Sequence, residues 1–448
     1  MNMNKNKQAL RFAFDNEKLT ENGDKSFKKL SLDELANLLF MSAYYEKNLS
    51  EVSIGDSERE KIFAMFMRDP RFGMGRRDLG RLLGVQANLT PEEVVLSGRF
   101  DDLWFDPSVE RLAFLKAELD SGNHLAKKWM PRSRNQYKEA AYLMRKYWKI
   151  GNKEYNALIK TDTTESRLTE REDIDFEKVP SLAMLKYMTA FHRNYPVKFA
   201  DYLESVKKGE SKMNFSTATP YDIYKLCASQ GDTKDLDILF DQLPKISISC
   251  VPVIDSSASM FDSADSFGKA ASIGHYLSKC SSFAPDMSVV FSSEPYLIDF
   301  NNESHRPKRH SWYQGQNISK GESRYAKEVA SLETGEISST DLGKTMELFS
   351  GMDTLPEYLV ILTDMEFDAG SSRSKERTVK MWRDKGYTTK IVWWNFNSRS
   401  TTAPETDSSG NIFLSGYSPV LLKYLESGFN NSDFIDNLLV EYEKNIKI

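Results

Sequence analysis

The second half of this 448-residue chain alternates short apolar runs with amphipathic segments, and this alternation constrains the fold more than any other feature. The apolar runs have the length and β-branched content of strands, and the segments between them repeat apolar residues at helical spacing. Such alternation predicts an α/β domain with a mostly parallel, Rossmann-like sheet covered by helices on both faces. The predicted strands are 246–254, 287–291, 296–300, 358–363, 389–394 and 411–414, and the predicted helices are 267–279, 342–349, 374–385, 419–425 and 433–445.

The first half shows helical patterns throughout, and we expect no strand there. A capping box at Thr90 and Glu93, with Pro91 at the first helical position, marks one helix start. Similar starts occur at 31–34, 106–107 and 219–220, and the amphipathic stretches are 32–45, 109–119, 136–148, 181–191 and 235–243. Successive helices joined by short loops predict an all-α, HEAT-like helical repeat, either a solenoid or a ring.

The chain is longer than one core usually holds, and helical patterns give way near Pro244 to alternating strand and helix patterns. These two features predict two domains, 1–244 and 245–448. Three scattered cysteines are too few for a disulfide framework or a zinc site. No signal peptide and no run long enough to cross a bilayer is evident in the sequence. We therefore expect a soluble, cytoplasmic monomer that does not bind membranes.

A metal-binding pattern follows the first predicted strand of the second half. Asp255, Ser257 and Ser259 are spaced two apart, so each side chain is able to present one oxygen to a common point. Two hydroxyls and a carboxylate suit a hard cation such as Mg²⁺, or another divalent cation of that type. Since Mg²⁺ takes six ligands, we expect further oxygens from Thr340 and Asp364. Each of these two residues lies where a later strand or loop meets a helix.

The apolar runs before Asp255 and Asp364, with the order of elements between them, resemble a von Willebrand factor A domain. The resemblance implies a metal-ion-dependent adhesion site formed by Asp255, Ser257, Ser259, Thr340 and Asp364. It also implies that the cation would accept a carboxylate from a protein partner at an open coordination position. The alternative without a metal is a solvated, serine-rich turn at a strand end.

A second pattern is a basic stretch in the first half. Residues 125–160 contain ten lysines and arginines and only two acids, Glu139 and Glu154. Cations neutralise phosphates and aromatic rings stack on bases, so this composition suits an RNA-binding groove. The candidate RNA-binding residues here are Lys127, Lys128, Arg132, Arg134, Lys138, Tyr142, Arg145 and Lys149. The alternative is an ordinary helix with solvated lysines and a half-buried Tyr142.

A smaller basic group surrounds Gly73 and Gly75, and we include Arg76 and Arg77 among the candidate RNA contacts. Arginine forks hold phosphate oxygens well. The alternative is an inter-helix loop whose arginines pair with Asp69 and Asp78.

Several segments along nearly the whole chain resemble the TROVE-related proteins, a branch of which is a family of unknown function, and are similar to the Ro ribonucleoprotein family. The segments are 68–83, 128–134, 179–193, 362–368, 392–397 and 415–425. The resemblance implies a helical HEAT-like part that binds noncoding or single-stranded RNA, followed by a von Willebrand A domain.

No histidine or cysteine pattern typical of catalysis is present, and no general base lies beside the predicted metal site in the sequence. We therefore expect a binding protein and not an enzyme. Two functions remain open. One is an RNA-binding ribonucleoprotein scaffold, and the other is a metal-dependent protein-interaction module that does not bind RNA.

Overall fold

The fold is known from a computed structural model, which describes most of the chain. The described residues are 17–19, 25–27, 58–70, 72–73, 75, 77–132, 137–161, 174–215, 218–230, 235–261, 265–291, 295–302, 323–332, 342–364, 380–396, 412–415 and 434–446. The predicted helices at 32–45 and 419–425 lie outside these residues, as do the proposed helix start at 31–34 and most of the predicted helix at 374–385.

Two short antiparallel strands come first, so the expectation of an entirely helical first half is wrong at this point. Strand β1 (Glu17–Leu19) pairs with β2 (Lys25–Phe27). The sequence between them contains Asn22 and Gly23, a pair typical of hairpin turns that the helical reading overlooked.

Eleven described helices follow in the first half, in agreement with the prediction of a helical part. They are α1 (Glu58–Arg68), α2 (Arg77–Gln86), α3 (Pro91–Ser97), α4 (Val109–Asp120), α5 (His124–Trp129), α6 (Lys138–Trp148), α7 (Asn152–Leu158), α8 (Ser181–Asn194), α9 (Pro196–Lys208), α10 (Pro220–Gln230) and α11 (Leu236–Asp241).

Local sequence explains how several of these helices begin. Thr90 accepts a hydrogen bond from the Glu93 amide, and Glu93 accepts one from the Thr90 amide, so the predicted capping box of α3 is present. Helix α4 begins later than expected from Asp106 and Pro107, because Ser108 provides its cap by accepting from the Arg111 amide. Each cap satisfies an amide that the helix itself leaves unpaired.

A close helix crossing occurs at Gly80 in α2. A Cβ atom at this position would lie 2.5 Å from the Cα of Arg68 in α1. Only glycine therefore allows the two backbones to approach this closely, and the approach brings Arg68 beside the arginines of α2.

The second half forms a six-stranded sheet flanked by helices. Its strands are β3 (Cys250–Asp255), β4 (Met287–Phe291), β5 (Tyr296–Asp299), β6 (Tyr358–Thr363), β7 (Lys390–Asn395) and β8 (Ile412–Ser415), in the order β5-β4-β3-β6-β7-β8. All neighbouring pairs are parallel except β4 and β5. The mostly parallel sheet predicted from the sequence is confirmed. The first strand is shorter than 246–254, because only an isolated bridge, from Ile248 to Ser281, precedes it.

Helices cover both faces of this sheet. The helices here are α12 (Ser266–Cys280), α13 (Arg324–Leu332), α14 (Leu342–Leu348) and α15 (Phe434–Ile446). Successive residues of β3 point to opposite sides. Ile254 packs in the core cluster that contains α12, and Val253 packs in a second cluster that contains Leu342 of α14. Strands β3 and β6, at the centre of the sheet, are buried on both faces, which explains why their sequences are almost continuously apolar.

The larger core cluster continues from the sheet into the helical part. Helix α10 packs on α12, α11 packs on α13, and the last helix, α15, returns to α1. Tyr442 of α15 donates a hydrogen bond to Asp69 and its ring lies 5.7 Å from that of Phe66. All three cysteines are buried and none forms a disulfide, as expected for a chain without a disulfide framework. Within the described ranges, no helix combines the length and apolarity that crossing a membrane requires.

Candidate metal centre and nucleic-acid interface

The carboxylate of Asp255 lies buried at the end of β3 and is held at both oxygens. Thr363 Oγ1 donates to Asp255 Oδ2 at 2.6 Å, and the Ser257 amide donates to Oδ1 at 2.9 Å. Burial and, to a smaller extent, the charge of Asp364 raise the pKa of Asp255 to about 7, although these hydrogen bonds act in the opposite direction. A nearby cation would stabilise the ionised form of a carboxyl group in such surroundings.

Two of the predicted hydroxyl ligands lie side by side next to this carboxylate in the sequence. Ser257 Oγ and Ser259 Oγ are 3.2 Å apart, with Ser259 in a 3₁₀ turn at Ala258–Met260. Ser256, between Asp255 and Ser257, donates from both its amide and its hydroxyl to the Phe291 carbonyl of β4. This anchor fixes the loop at the carboxyl edge of the sheet.

Asp364 is fully buried and follows β6, the strand that pairs with β3 in parallel. The register places Ile254 beside Leu362, so Asp255 and Asp364 leave the same edge of the sheet. Four of the five predicted ligands, Asp255, Ser257, Ser259 and Asp364, therefore belong to this edge. Thr340, the fifth, lies outside the described residues, and α14 begins two positions after it.

The donor set at this edge consists of oxygen atoms. Across the residues that the structure describes, no three His, Cys, Asp or Glu side chains gather as a metal centre rich in such ligands would require. Two carboxylates with two hydroxyls are instead the donors that hard divalent cations prefer, so these residues fit Mg²⁺ better than a soft transition metal.

The predicted basic stretch contains a solvent-facing aromatic surface on α6. Tyr142 is 56% exposed, Leu143 58% and Tyr147 42%, while Ala141 and Met144 on the other side of the helix are buried. Lys138 and Lys149 are exposed as well. The α6 surface is defined here as Lys138, Tyr142, Leu143, Lys146, Tyr147 and Lys149. Tyr142 is exposed and not half buried, so partial burial against the protein core does not explain an aromatic residue at this position.

Arg145 belongs to this helix but makes mainly local contacts. Its Nε donates to the Ala141 carbonyl, and its guanidinium lies 5.9 Å from the Tyr142 ring. Arg132 donates to the carbonyls of Ile159 and Lys127, which ties the end of α5 to the end of α7.

The remaining predicted RNA contacts are dispersed. Lys127 and Lys128 are partly buried, and Lys128 Nζ lies 5.0 Å from the Trp129 ring, which also stacks with Arg99 at 4.4 Å. Arg77 forms an ion pair with Asp101. Arg76 and Arg134 lie outside the described residues.

Two of the described arginines near Gly73 and Gly75, Arg68 and Arg81, pair with acids that the sequence-based alternative did not name. Arg68 pairs with Asp102 at 2.7 Å, and Arg81 contacts both Asp101 and Asp102. These aspartates belong to the 3₁₀ turn at Phe100–Asp102 and lie twenty or more positions after the arginines they contact. Sequence spacing did not indicate this pairing, because the contact depends on how α2 and the turn pack.

Sequence reasoning missed several residues of both sites. Thr363 was not considered, although it directly precedes Asp364, which was expected to join Asp255 in the metal site. Leu143, Lys146 and Tyr147 were also not selected for the α6 surface. Lys146 and Tyr147 lie three and four positions after Leu143, a spacing that places each of them near Leu143 on the helix surface.

The described parts thus define a class of protein with a helical part joined to an α/β sheet whose carboxyl edge carries acidic and hydroxyl side chains. Residues 119–246 match the model of a domain of unknown function, DUF2828, and residues 336–445 match that of another, DUF7788. The first match includes α6, and the second includes Thr340, Asp364 and strands β6 to β8.

Among curated proteins, the chain is similar to an uncharacterized protein of Acanthamoeba polyphaga mimivirus, at 24% identity over 377 residues. The matched part is 72% of this chain and spans 61% of the length of that relative. Among solved structures, it is similar to the Ro (RSR) protein of Deinococcus radiodurans, with a TM-score of 0.37 and 10% identity, covering 87% of this chain and 96% of the other.

Proposed function

We propose that this chain is an RNA-binding scaffold whose helical part contacts single-stranded or noncoding RNA through the α6 surface. The observation that carries the proposal is the exposure of Tyr142, Leu143 and Tyr147 among lysines on one helix. Exposed aromatic and apolar groups that cluster together generally mark a binding surface.

The chemistry of the α6 surface matches what unpaired RNA offers. Bases stack on exposed tyrosine rings, which contributes about 1–3 kcal/mol per base. Lys138, Lys146 and Lys149 would neutralise phosphates, and each such contact releases condensed counterions. A surface of this kind favours single strands, because a duplex hides the faces of its bases.

The test is fluorescence anisotropy with a labelled single-stranded RNA at two salt concentrations. Exchanging both tyrosines, Tyr142→Ala with Tyr147→Ala, should weaken binding by roughly 1–3 kcal/mol per stacked base. Reversing charge with Lys138→Glu and Lys149→Glu should weaken binding and reduce its dependence on salt.

A charge-matched control is available on another helix. Lys207→Glu with Lys208→Glu alters net charge by the same amount at exposed positions of α9. Equal loss of affinity in this control and in the α6 charge reversal would show general electrostatics and would refute the α6 assignment.

We further propose that the sheet is a von Willebrand A-type module with a metal-ion-dependent adhesion site. Asp255, Ser257, Ser259 and Asp364 would hold Mg²⁺, with Thr340 as the fifth protein ligand. When bound, the cation supplies an electrophilic centre for a carboxylate of a protein partner. The chain's own contribution is to fix the ligands: Thr363 and the Ser257 amide orient Asp255, and Ser256 anchors the loop to β4.

The second candidate function is a metal-dependent protein-interaction module that does not bind RNA. The convergence of Asp255 and Asp364 at one buried edge favours it, because the burial of two neighbouring carboxylates is costly without a cation. Sequencing of nucleic acid that co-purifies with the chain distinguishes the two. Partner capture that is lost in EDTA, with no RNA recovered, would support this second function over the scaffold.

A further inference from the structure

A polar residue ends the strand next to β6, on the edge of the sheet that carries the proposed cation site. Asn395 is the last residue of β7, and the register pairs it with Thr363 of β6. Because β3, β6 and β7 run parallel, Asn395 lies at the same carboxyl edge as Asp255 and Asp364. It is not among the five cation ligands that the sequence predicts.

Asn395 also lies on the same face of the sheet as Asp255 and Thr363. Residues two apart in a strand share a face, because successive side chains alternate. The residues two positions before these three all belong to one apolar cluster, and they are Val253, Ile361 and Trp393. The hydrogen bond from Thr363 to Asp255 agrees with this assignment. Asp255, Thr363 and Asn395 therefore form a polar row across three neighbouring strands, which are about 4.8 Å apart.

The polar row lies at the end of an otherwise apolar layer. Leu342 and Met346 of α14 belong to the same cluster as the strand residues of this face. Asn395 thus occupies a position that follows two apolar positions of β7, Ile391 and Trp393, on the side of the sheet that α14 covers. A leucine there would continue the apolar layer.

The side-chain oxygen of Asn395 is buried and lacks a donor. The residue is 7% exposed, and none of the groups that the structure describes donates a hydrogen bond to its Oδ1. Thr363, its neighbour in the polar row, directs its hydroxyl to Asp255 instead. A buried amide oxygen without a donor is costly, and folded proteins generally supply one. The position of this oxygen at the cation edge indicates where such a donor would come from.

A hydrated cation would offer the kind of donor that Asn395 lacks. Mg²⁺ dehydrates reluctantly and usually keeps several waters in a protein site. A water on a cation directs its oxygen to the metal and its hydrogens outward, so acceptors are needed around it. An amide oxygen meets this need without adding a third carboxylate to Asp255 and Asp364, which already repel each other.

We propose that Asn395 is a positioning residue of the cation site, and that its side-chain oxygen accepts a hydrogen bond from a water bound to the cation. The proposal rests on the adhesion site of the proposed function and extends that site to a third strand. Groups that orient metal ligands generally contribute about ten-fold or more to metal affinity.

Asn395→Leu replaces the amide by an apolar side chain of similar size. Calorimetric titration with Mg²⁺ measures the affinity, and urea denaturation in EDTA measures the stability of the metal-free chain. We expect Mg²⁺ affinity to fall about ten-fold or more. The urea midpoint in EDTA should rise, because the variant no longer buries an unsatisfied oxygen. A purely structural role for Asn395 would give the reverse result, with a lower midpoint and an unchanged affinity.

Two further variants separate the acceptor from the shape of the side chain. Asn395→Asp keeps an oxygen acceptor, so Mg²⁺ binding should persist. Its urea midpoint in EDTA should fall, because a third carboxylate is buried beside two others. Asn395→Ala removes the acceptor without adding volume, and it should repeat the loss of affinity if the leucine variant does not fold.

A matched control lies at the opposite end of the same strand. Thr389 directly precedes β7, is buried and donates a hydrogen bond to the Pro356 carbonyl. Because this bond is satisfied and lies at the amino edge of the sheet, Thr389→Val should lower the urea midpoint in EDTA and leave Mg²⁺ affinity unchanged.

The outcomes separate the role of Asn395 from the site on which it depends. A native chain that does not bind Mg²⁺ would remove the adhesion site and the role of Asn395 with it. Native binding that Asn395→Leu and Asn395→Ala leave unchanged would overturn the role of Asn395 alone. An equal loss of affinity in Asn395→Leu and in either Asn395→Asp or Thr389→Val would also overturn it, because the loss would then not depend on the acceptor.

Discussion

Thr363 donates a 2.6 Å hydrogen bond to the buried carboxylate of Asp255, across 108 positions of sequence. The bond joins the ends of β6 and β3, the two neighbouring strands that bring Asp364 and Asp255 to one edge. The chain passes from β3 to β4 and β5 on one side of the sheet and then through β6, β7 and β8 on the other, so the strand order reverses between β3 and β6. In parallel sheets, ligands generally bind at the carboxyl ends of the strands beside such a reversal. Thr363 therefore positions a ligand of the proposed cation.

Replacing Thr363 by valine should remove this bond while keeping the shape of the side chain. We expect a loss of about 1–3 kcal/mol in the free energy of unfolding, since a buried carboxylate oxygen loses its donor. The hydrogen bond lowers the pKa of Asp255, so its loss should raise that pKa further. Urea denaturation in EDTA measures the effect. Thr363→Ser keeps a hydroxyl, and a serine variant as unstable as the valine variant would contradict this explanation.

Removal of the metal ligand should abolish the response to Mg²⁺. A ligand that binds only the folded state stabilises it by RT ln(1 + [L]/Kd), which is about 2.7 kcal/mol at a hundred-fold excess over Kd. We expect Mg²⁺ to raise the melting temperature of the native chain, EDTA to reverse this rise, and Asp255→Ala to remove it. Asp353→Asn, at an exposed position, is the control. A melting temperature that Mg²⁺ leaves unchanged in the native chain would exclude the adhesion site.

The buried His275 of α12 should make stability depend on pH. Its Nε2 lies 2.7 Å from Glu328 Oε2, with aromatic rings of Phe240, Phe300 and Tyr325 around it. Burial lowers the pKa of His275 below 6.5, although Glu328 opposes this shift and Lys279 and Arg324 favour it. We infer a neutral imidazole that donates from Nε2 to the Glu328 carboxylate, which is also held by Lys279 at 2.9 Å.

The direction of this pH dependence follows from the number of protons that the folded and unfolded chains bind. Below pH 6.5 the unfolded chain binds a proton at this histidine and the folded chain does not, so the contribution of His275 to stability falls as pH decreases toward its lowered pKa. The raised pKa of Asp255 contributes with the opposite sign in this range, so the histidine is isolated by comparing the native chain with a His275 variant. The slope should be at most about 1.4 kcal/mol per pH unit. Urea denaturation between pH 7.5 and 5 measures it. His275→Gln should lose less stability than the native chain as pH decreases, and His124→Gln, at an exposed site, should follow the native chain. A slope identical in the native chain and His275→Gln would refute the assignment.

The ion network around Asp102 should be essential for the fold of the helical part. Asp102 forms an ion pair with Arg68, accepts hydrogen bonds from Arg81 Nε and from the Arg99 amide, and is almost fully buried. Asp102→Asn should destabilise the chain by about 3–5 kcal/mol, because it leaves buried guanidinium groups without a countercharge. Asp175→Asn breaks only an exposed pair with Lys178 and should have no measurable effect on denaturation. Similar unfolding of the two variants would argue against a structural role for this network.

Much of the fold could be predicted because local sequence carries it. The predicted strand at 358–363 has the observed bounds, and the helix predicted at 109–119 differs by one residue at its end. The start of α4 was less certain, since Asp106, Pro107 and Ser108 are all acceptable helix starters and only the folded chain selects Ser108. The β1–β2 hairpin was missed because three-residue strands have too little periodicity to compete with a helical pattern.

In the candidate sites, too, some features could be predicted from the sequence and others depend on the folded structure. The spacing of Asp255, Ser257 and Ser259 indicated a metal site, since residues two apart in an extended loop share a side. The Thr363 bond and the exposure of Tyr142 could not be foreseen, because they depend on strand register and on which face of α6 packs inward.

The sequence by itself determined the helical first half, the alternation that makes a parallel sheet, and the acidic and hydroxyl residues at the end of its first strand. These follow from hydrophobic periodicity and from caps, which act over a few residues. Only the tertiary structure decided that Arg68 and Arg81 pair with Asp101 and Asp102, and that Tyr442 of the last helix reaches Asp69 beside the first described one. Such contacts arise from the packing of distant segments, which local patterns do not encode.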